Sequence, residues 1–254
     1  MHPALKYIQH YITGQTRHDV HSPFMYKLLE KDILDTRYKE EYRDIESLKW
    51  HLMRDNTTIE VVDFGAGGHR TYSKQISAIA KNSAIGKRHG RLLYRLSKRF
   101  QPQYVLELGT SLGIGTAYLA KGAGKVVSVE GSPETAVVAA KNLQELGINN
   151  VEIVVGNFDE TLPAIISTLP RLDLVFFDGN HAKEPTLRYF ELCLQKAHNN
   201  TVFIFHDIHW SAGMEEAWSI IQQHNAVNAT ADLHFSGLVF FRDELTKQHY
   251  RFRF

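Results

Sequence analysis

A single cysteine, Cys193, leaves the chain no partner for a disulfide and no thiolate metal cluster. It is expected as a core thiol in a reducing compartment. No uncharged apolar run approaches the roughly 20 residues that a membrane span requires, so no membrane-embedded segment is expected. Charge of one sign does not predominate either. The 29 Lys and Arg stand against 28 Asp and Glu, a net charge of +1, which argues against a protein whose main partner is a nucleic-acid backbone. The start "MHPALKYIQHYITGQ" lacks a basic stretch followed by an apolar core, so no signal peptide and a cytoplasmic location are expected. Repeats, heptads and low-complexity tracts are missing as well. What remains, 43% hydrophobic and 22% charged over 254 residues, suits one large α/β domain with an appendage.

Two segments differ in periodicity. Residues 1–86 read as a mostly helical N-terminal cap region with one strand-like interruption at "TTIEVVDF", followed by more helix. In "HSPFMYKLLEKDI", Ser22 can cap a helix, Pro23 suits its first turn, and Phe24, Leu28, Leu29 and Ile33 share a face. Residues 87–254 open on a basic helical stretch and then alternate short apolar runs, "YVLEL", "KVVSVE", "VEIVV", "LDLVFFD" and "TVFIFH", with amphipathic segments. That alternation predicts parallel strands joined by crossover helices in a doubly wound, Rossmann-like sheet. The best-marked helix is "SPETAVVAAKNLQELG", with Ser132 as cap, Pro133 in its first turn and Gly147 as stop. "ATADLHF" and "GLVFF" lie too close together for a crossover and predict an antiparallel pair.

Two glycine-rich turns compete for a nucleotide. "VVDFGAGGHR" carries Asp63, Gly65 and Gly67; "VLELGTSLGIGT" carries Glu107, Gly109, Ser111, Gly113 and Gly115. A nucleoside needs a loop that admits the ligand to the backbone, then a second strand ending in a carboxylate for the ribose hydroxyls. Only the second turn is followed by such a strand, "KVVSVE", which ends at Glu130. Arg70 also stands where a dinucleotide loop would place its third glycine. The first turn therefore reads as structural, closing a small N-terminal unit.

"VLELGTSLGIGT", with "VVSVEGS", "VVGNFDETLP", "LDLVFFDGNH" and "TVFIFHDIHW", resembles the successive motifs of class I S-adenosylmethionine-dependent methyltransferases over about residues 87–242. The closest branch is that of catechol O-methyltransferase-like enzymes acting on small molecules. The resemblance implies a seven-stranded sheet in the order 3-2-1-4-5-7-6, counted from "YVLEL", with only strand 7 antiparallel. It also implies that Glu107, Gly109, Ser111 and Gly113 surround the methionine part of S-adenosylmethionine, bordered by Asp178. Glu130 and Gly131 would meet the ribose, and Asn157 and Phe158 would flank the adenine.

"FFDGNH" and "FHDIHW" end the fourth and fifth strands, so Asp178, His181, His206, Asp207 and His209 fall at the carboxyl edge of the sheet beside that loop. Methyl transfer to a hydroxyl needs removal of a proton and an oxygen held in line with the methyl group. Three readings stay open. Asp178, His206 and Asp207 hold a divalent metal that lowers the hydroxyl pKa; His181 or His209 performs metal-free acid–base work with the two aspartates; or the cluster is structural. By the resemblance, Asp178 and Asp207 match two metal-binding aspartates, Ile208 replaces an asparagine, and Asp178 with His181 resembles an Asp-x-x-His of a sugar-hydroxyl branch. His18, Asp19 and His21 have ligand-like spacing, which a loop leading into a capped helix explains equally well.

Lys87 to Arg99 contains six basic residues and no acid. A solvated face explains such a run, but the resemblance implies that its start, Lys87 to Gly90, borders the site and favours an anionic acceptor. The expected partner is a small molecule bearing a hydroxyl, with an RNA or DNA methyltransferase and a non-catalytic cofactor-binding protein as alternatives. In the tail "QHYRFRF", aromatic residues alternate with basic and polar ones. The period of two predicts a strand, either folded back on its own domain or paired with a second subunit of a homodimer.

Overall fold

The computed structural model describes residues 3–65 and 69–254; Gly67 of the first glycine turn lies outside the described residues. The N-terminal part is built of α1 (Pro3–Thr13), a 3-10 turn at Arg17–Asp19, α2 (Pro23–Leu28) continued by a π turn through Ile33, and α3 (Glu41–Leu52). A hairpin of β1 (Thr58–Asp63) and β2 (Arg70–Gln75) and the short α4 (Ile76–Asn82) complete it. Ser22 caps α2 as its sequence position predicts, accepting the Met25 N–H at 3.4 Å. The stretch after the glycine turn is a strand, not the expected helix: "RTYSKQ" pairs antiparallel with β1. It is polar and wet on both faces, so it carries no apolar period for a sequence reading to find.

From Lys87 the chain runs α5 (Lys87–Phe100), β3 (Tyr104–Leu108), α6 (Ile114–Ala120), β4 (Lys125–Glu130), α7 (Pro133–Glu145), β5 (Val151–Val155) and α8 (Phe158–Thr168). It continues through β6 (Leu174–Phe177), α9 (Lys183–Leu194), β7 (Val202–His206), α10 (Ala212–Gln223), β8 (Ala229–Asp232), β9 (Ser236–Phe240) and β10 (Gln248–Arg251). The main sheet has the order β10-β8-β9-β7-β6-β3-β4-β5. Its seven strands from β3 to β9 reproduce the expected order and its single antiparallel member, β9. The seven-strand expectation falls short by one: β10 adds an eighth strand, parallel to β8.

The tail thus pairs within its own chain, and the inter-subunit alternative does not hold for it. Tyr250, Phe252 and Phe254 are buried while His249 and Arg251 face outward. The free edge of β10 is met in turn by Gln15, whose N–H donates to the Arg251 carbonyl at 2.6 Å.

The sheet is covered on both faces, which is why its strands read as near-continuous apolar runs. Val105, Val126, Leu174, Phe176 and Ile204 point toward α5 and α6 and the N-terminal helices. Leu106, Leu108, Val127, Val175, Phe177 and Phe205 point the other way, toward α8, α9 and α10. The two-residue alternation of strand side chains divides one sheet between two cores. Cys193 is fully buried in the second, and burial pushes its thiol well up.

Candidate active site

A cavity of about 820 Å³ lies along the carboxyl ends of β5, β4, β3, β6 and β7. These five ends are neighbours in the sheet, and strands lie about 4.8 Å apart. The row therefore reaches roughly 19 Å, long enough for a nucleoside-bearing cofactor and an acceptor side by side. Asn157 and Phe158 stand at the β5 end, Glu130 and Gly131 at β4, Gly109 and Ser111 at β3, Asp178 and His181 after β6, and His206 and Asp207 at β7.

Between β3 and α6 the loop is folded by backbone conformations that side chains resist. Gly109 has φ +104, and a Cβ there would collide with the Asp178 carbonyl, so only glycine lets β3 and β6 approach at this point. Ser111 takes a left-handed φ of 48 and donates its N–H to Glu130 Oε2 at 2.7 Å. The second Glu130 oxygen accepts the Ser132 N–H at 3.0 Å. This carboxylate ties the loop to the start of α7, and burial, with the charge of Asp63 adding to it, raises its pKa.

Two residues expected at the cofactor do not line the cavity. Glu107 is fully buried and does not reach the cavity. Its Oε2 accepts the hydroxyls of Thr116 and Ser128, both at 2.6 Å, and burial pushes its pKa up to about 8. It is a neutral acid under the loop. Gly113 forms the N-cap of α6 against Ala139 and is likewise off the cavity wall.

At the β5 end, Asn157 Oδ1 accepts the Asp159 N–H at 3.0 Å and so caps α8. The Phe158 ring stands edge-on to Tyr189, with 5.6 Å between centroids.

The other end is charged. His206 Nδ1 lies 2.9 Å from Asp178 Oδ1 and 3.5 Å from Asp207 Oδ2. Burial alone would lower this imidazole, but the two carboxylates outweigh it and push it up to about 10. His181 Nε2 is 3.9 Å from both Asp178 Oδ1 and Asp207 Oδ2. Asp207 itself is held at φ 56 and Asn180 at φ 50. Left-handed residues other than glycine gather at functional sites, where the surrounding structure sustains their strain.

The metal expectation finds no support in this arrangement. Among the described residues no three or more His, Cys, Asp or Glu are arranged to hold one.

His209, expected with this group, is elsewhere. The left-handed turn at Asp207 buries Ile208 and sends His209 under the strand ends, where its Nε2 meets Asp232 Oδ2 at 2.9 Å and its Nδ1 meets Glu215 Oε1 at 3.3 Å. His18, Asp19 and His21 do not line the cavity; Asp19 accepts the Thr16 N–H and hydroxyl, both at 2.8 Å. The basic helix contributes its start alone. Gly86 and His89 line the cavity, whereas Lys87 and Arg91 pair with Glu46 and Arg99 pairs with Asp32. Arg88 does not line the cavity and lies over the Phe254 ring, 4.1 Å from its centroid.

Sequence reasoning missed several wall residues: Asp63, Phe64 and Tyr72 from the hairpin, and Trp210 and Phe235 near the β7 end. The hairpin's signal was the start of the first glycine turn, whose Asp63, Phe64 and Gly65 line the cavity of the second rather than competing with it. Trp210 is the last residue of the motif quoted for the end of β7.

Residues 106–208 match the family described as a methyltransferase domain. A catechol O-methyltransferase of Mycobacterium tuberculosis is 36% identical over 129 residues, which cover 49% of this chain and 57% of that protein. A catechol O-methyltransferase of Niastella koreensis is 28% identical over 126 residues, 48% of this chain and 56% of that protein. The chain thus spans about half the length of these curated relatives. Among solved structures, an O-methyltransferase from Bacillus cereus in complex with SAH superposes with a TM-score of 0.58 at 18% identity, covering 84% of this chain and 96% of that one. The likeness to it is one of fold. No helix among the described residues is long and apolar enough to cross a membrane.

Proposed function

We propose that the protein is an S-adenosylmethionine-dependent methyltransferase acting on a hydroxyl of a small molecule, with residues 87–254 holding the cofactor and residues 1–86 capping it. The observation that carries this reading is the shared cavity: the carboxylate of Glu130 and the group of Asp178, His181, His206 and Asp207 face one space. The relatives named catechol O-methyltransferase support the choice of oxygen as acceptor.

When bound, S-adenosylmethionine supplies an electrophilic methyl group. Glu130 accepts the ribose hydroxyls, and the Gly109–Ser111 loop lies against the methionine part. His181, Trp210 and Phe235 line the space that would be left for the acceptor. His181 would take the hydroxyl proton as the methyl group passes from the sulfonium sulfur to the oxygen, the S–CH3 bond breaking and S-adenosylhomocysteine leaving. The carboxylates of Asp178 and Asp207, each 3.9 Å from its Nε2, orient the ring and stabilise the imidazolium that results. The protonated His206 offsets part of their charge, so His181 can release its proton afterwards. No step requires a metal.

A panel of phenols, catechols and sugars, incubated with the protein and S-adenosylmethionine and analysed by mass, tests the reading. The expected result is an O-methylated product formed equally with and without a chelator. Methylation of nitrogen or of RNA, cofactor binding without turnover across the panel, or loss of turnover in chelator would overturn it.

A further inference from the structure

We propose that the β1–β2 hairpin is part of the cofactor site, with Phe64 covering the adenosine half of the cofactor and Asp63 acting beside Glu130 on the ribose hydroxyls. The proposal rests on the reading of Glu130 as the ribose carboxylate.

The hairpin is a two-stranded sheet with no strand pairing to the main sheet. Backbone ladders therefore do not explain its position, and a lone pair of strands is marginal without packing. Side-chain bonds hold it at the cavity. The Glu60 N–H donates to Glu134 Oε2 at 2.6 Å, and the Ser132 hydroxyl donates to the Glu60 carbonyl at 3.2 Å. Both partners belong to the first turn of α7, directly after Glu130. Ser132 does not cap α7 with its hydroxyl as its sequence position predicts: the hydroxyl donates to Glu60 and accepts the Thr135 hydroxyl at 3.0 Å.

Register then selects the face. Val61 stands opposite Tyr72 and Asp63 opposite Arg70, so Val61, Asp63 and Tyr72 share one side of the ribbon, and all three line the cavity. Phe64 reaches further. A Cβ on Gly131 would come within 2.8 Å of the Phe64 ring, so the absence of a side chain next to Glu130 is what lets the ring lie there.

Asp63 Oδ1 accepts the Gly65 N–H at 2.7 Å, and its charge is close enough to raise the pKa of Glu130. Two carboxylates on one wall repel each other. A vicinal diol with two hydroxyl donors relieves that repulsion, and each carboxylate has acceptor positions beyond those its backbone partners fill.

The test is calorimetric titration of the full chain with S-adenosylhomocysteine and with 5′-methylthioadenosine, which keeps the adenosine half and lacks the amino-acid half. Asp63→Asn and Phe64→Ala are expected to weaken both ligands in parallel, by about tenfold, while Phe64→Tyr binds like the parent and thermal unfolding is unchanged. Asp63 is exposed, so the Asn variant carries the test should Phe64→Ala fold poorly. Parent-like affinity for 5′-methylthioadenosine in Asp63→Asn and Phe64→Ala overturns the hairpin's role and leaves the proposed function standing. A parent that binds neither ligand overturns the proposed function first, and this inference with it.

Discussion

His206 Nδ1 stands 2.9 Å from Asp178 Oδ1 across the ends of two neighbouring strands, β7 and β6. The contact places a cation and an anion, each less than a fifth exposed, at the point where methyl transfer is proposed. In the proposed reading, His181 beside them takes the acceptor's proton.

Replacing Asp178 with Asn strips His206 of a paired charge in a buried setting. Stability should fall by roughly 3–5 kcal/mol, the usual result of removing one partner from such a pair. The pH signature is specific. The folded pKa of His206 is raised to about 10, so its contribution is complete below the ordinary imidazole value, near 6.5, and is lost as pH rises toward 10. Denaturant midpoints measured from pH 6 to 10 should decline in the parent and decline less in the variant. Parallel profiles would contradict the pairing.

Glu107→Gln should preserve the fold. The carboxyl is neutral at moderate pH because burial holds its pKa at about 8, and an amide can accept the Thr116 and Ser128 hydroxyls in its place. A folded pKa above the unfolded one gives stability that is present below about 4.5 and lost as pH rises to about 8. The parent should therefore lose stability across that window and Glu107→Gln should not. An unfolded variant, or an identical slope, would show that Glu107 is charged in the folded state.

A second buried cluster anchors α1. His10 Nε2 and His209 Nε2 each lie 2.9 Å from one oxygen of Asp232, and Lys6 pairs with Glu215 at 2.8 Å. Burial opposes charge on Asp232, but His10 and His209 outweigh it and hold its pKa well below the carboxylate range; Asp232 and Glu215 in turn raise His209. The Asp232 contribution exists above about pH 4 and the His209 contribution below about pH 6.5, so the two overlap between these values. Asp232→Asn should cost about 3 kcal/mol at pH 6 and expose α1 to limited proteolysis first. Unchanged protection of α1 would refute the anchor.

Phe252→Ala removes a fully buried ring from the β10 edge and should destabilise by about 3–5 kcal/mol. Deleting residues 249–254 should also uncover β8 as an edge strand and promote association. Light scattering of the truncated chain checks this; a stable, unassociated product would count against β10 as an edge cover.

The parts of this fold that were legible in the sequence are those where local pattern and burial agree. The strands β3 to β7 carry apolar runs because helices cover both faces, and Glu130 is conspicuous as the acid that ends one of them. The hairpin was opaque for the opposite reason: Arg70 to Gln75 is wet on both sides, so its pairing leaves no periodic trace. His209 was misplaced because the direction of the chain after β7 is set by a left-handed Asp207, a conformation that residue type alone does not announce. Glu107 was expected as a ligand because the family resemblance implies it. Only three-dimensional packing shows it beneath the loop, bonded to Thr116 and Ser128.

The most direct test of the account is calorimetric titration of the parent and of Glu130→Ala with S-adenosylhomocysteine. Each charge-assisted hydrogen bond from a ribose hydroxyl contributes roughly 1.5–3 kcal/mol, so the account predicts clear binding by the parent and a loss of at least about tenfold in the variant. Equal affinity in the two proteins, or a parent that binds NAD and not S-adenosylhomocysteine, would contradict it.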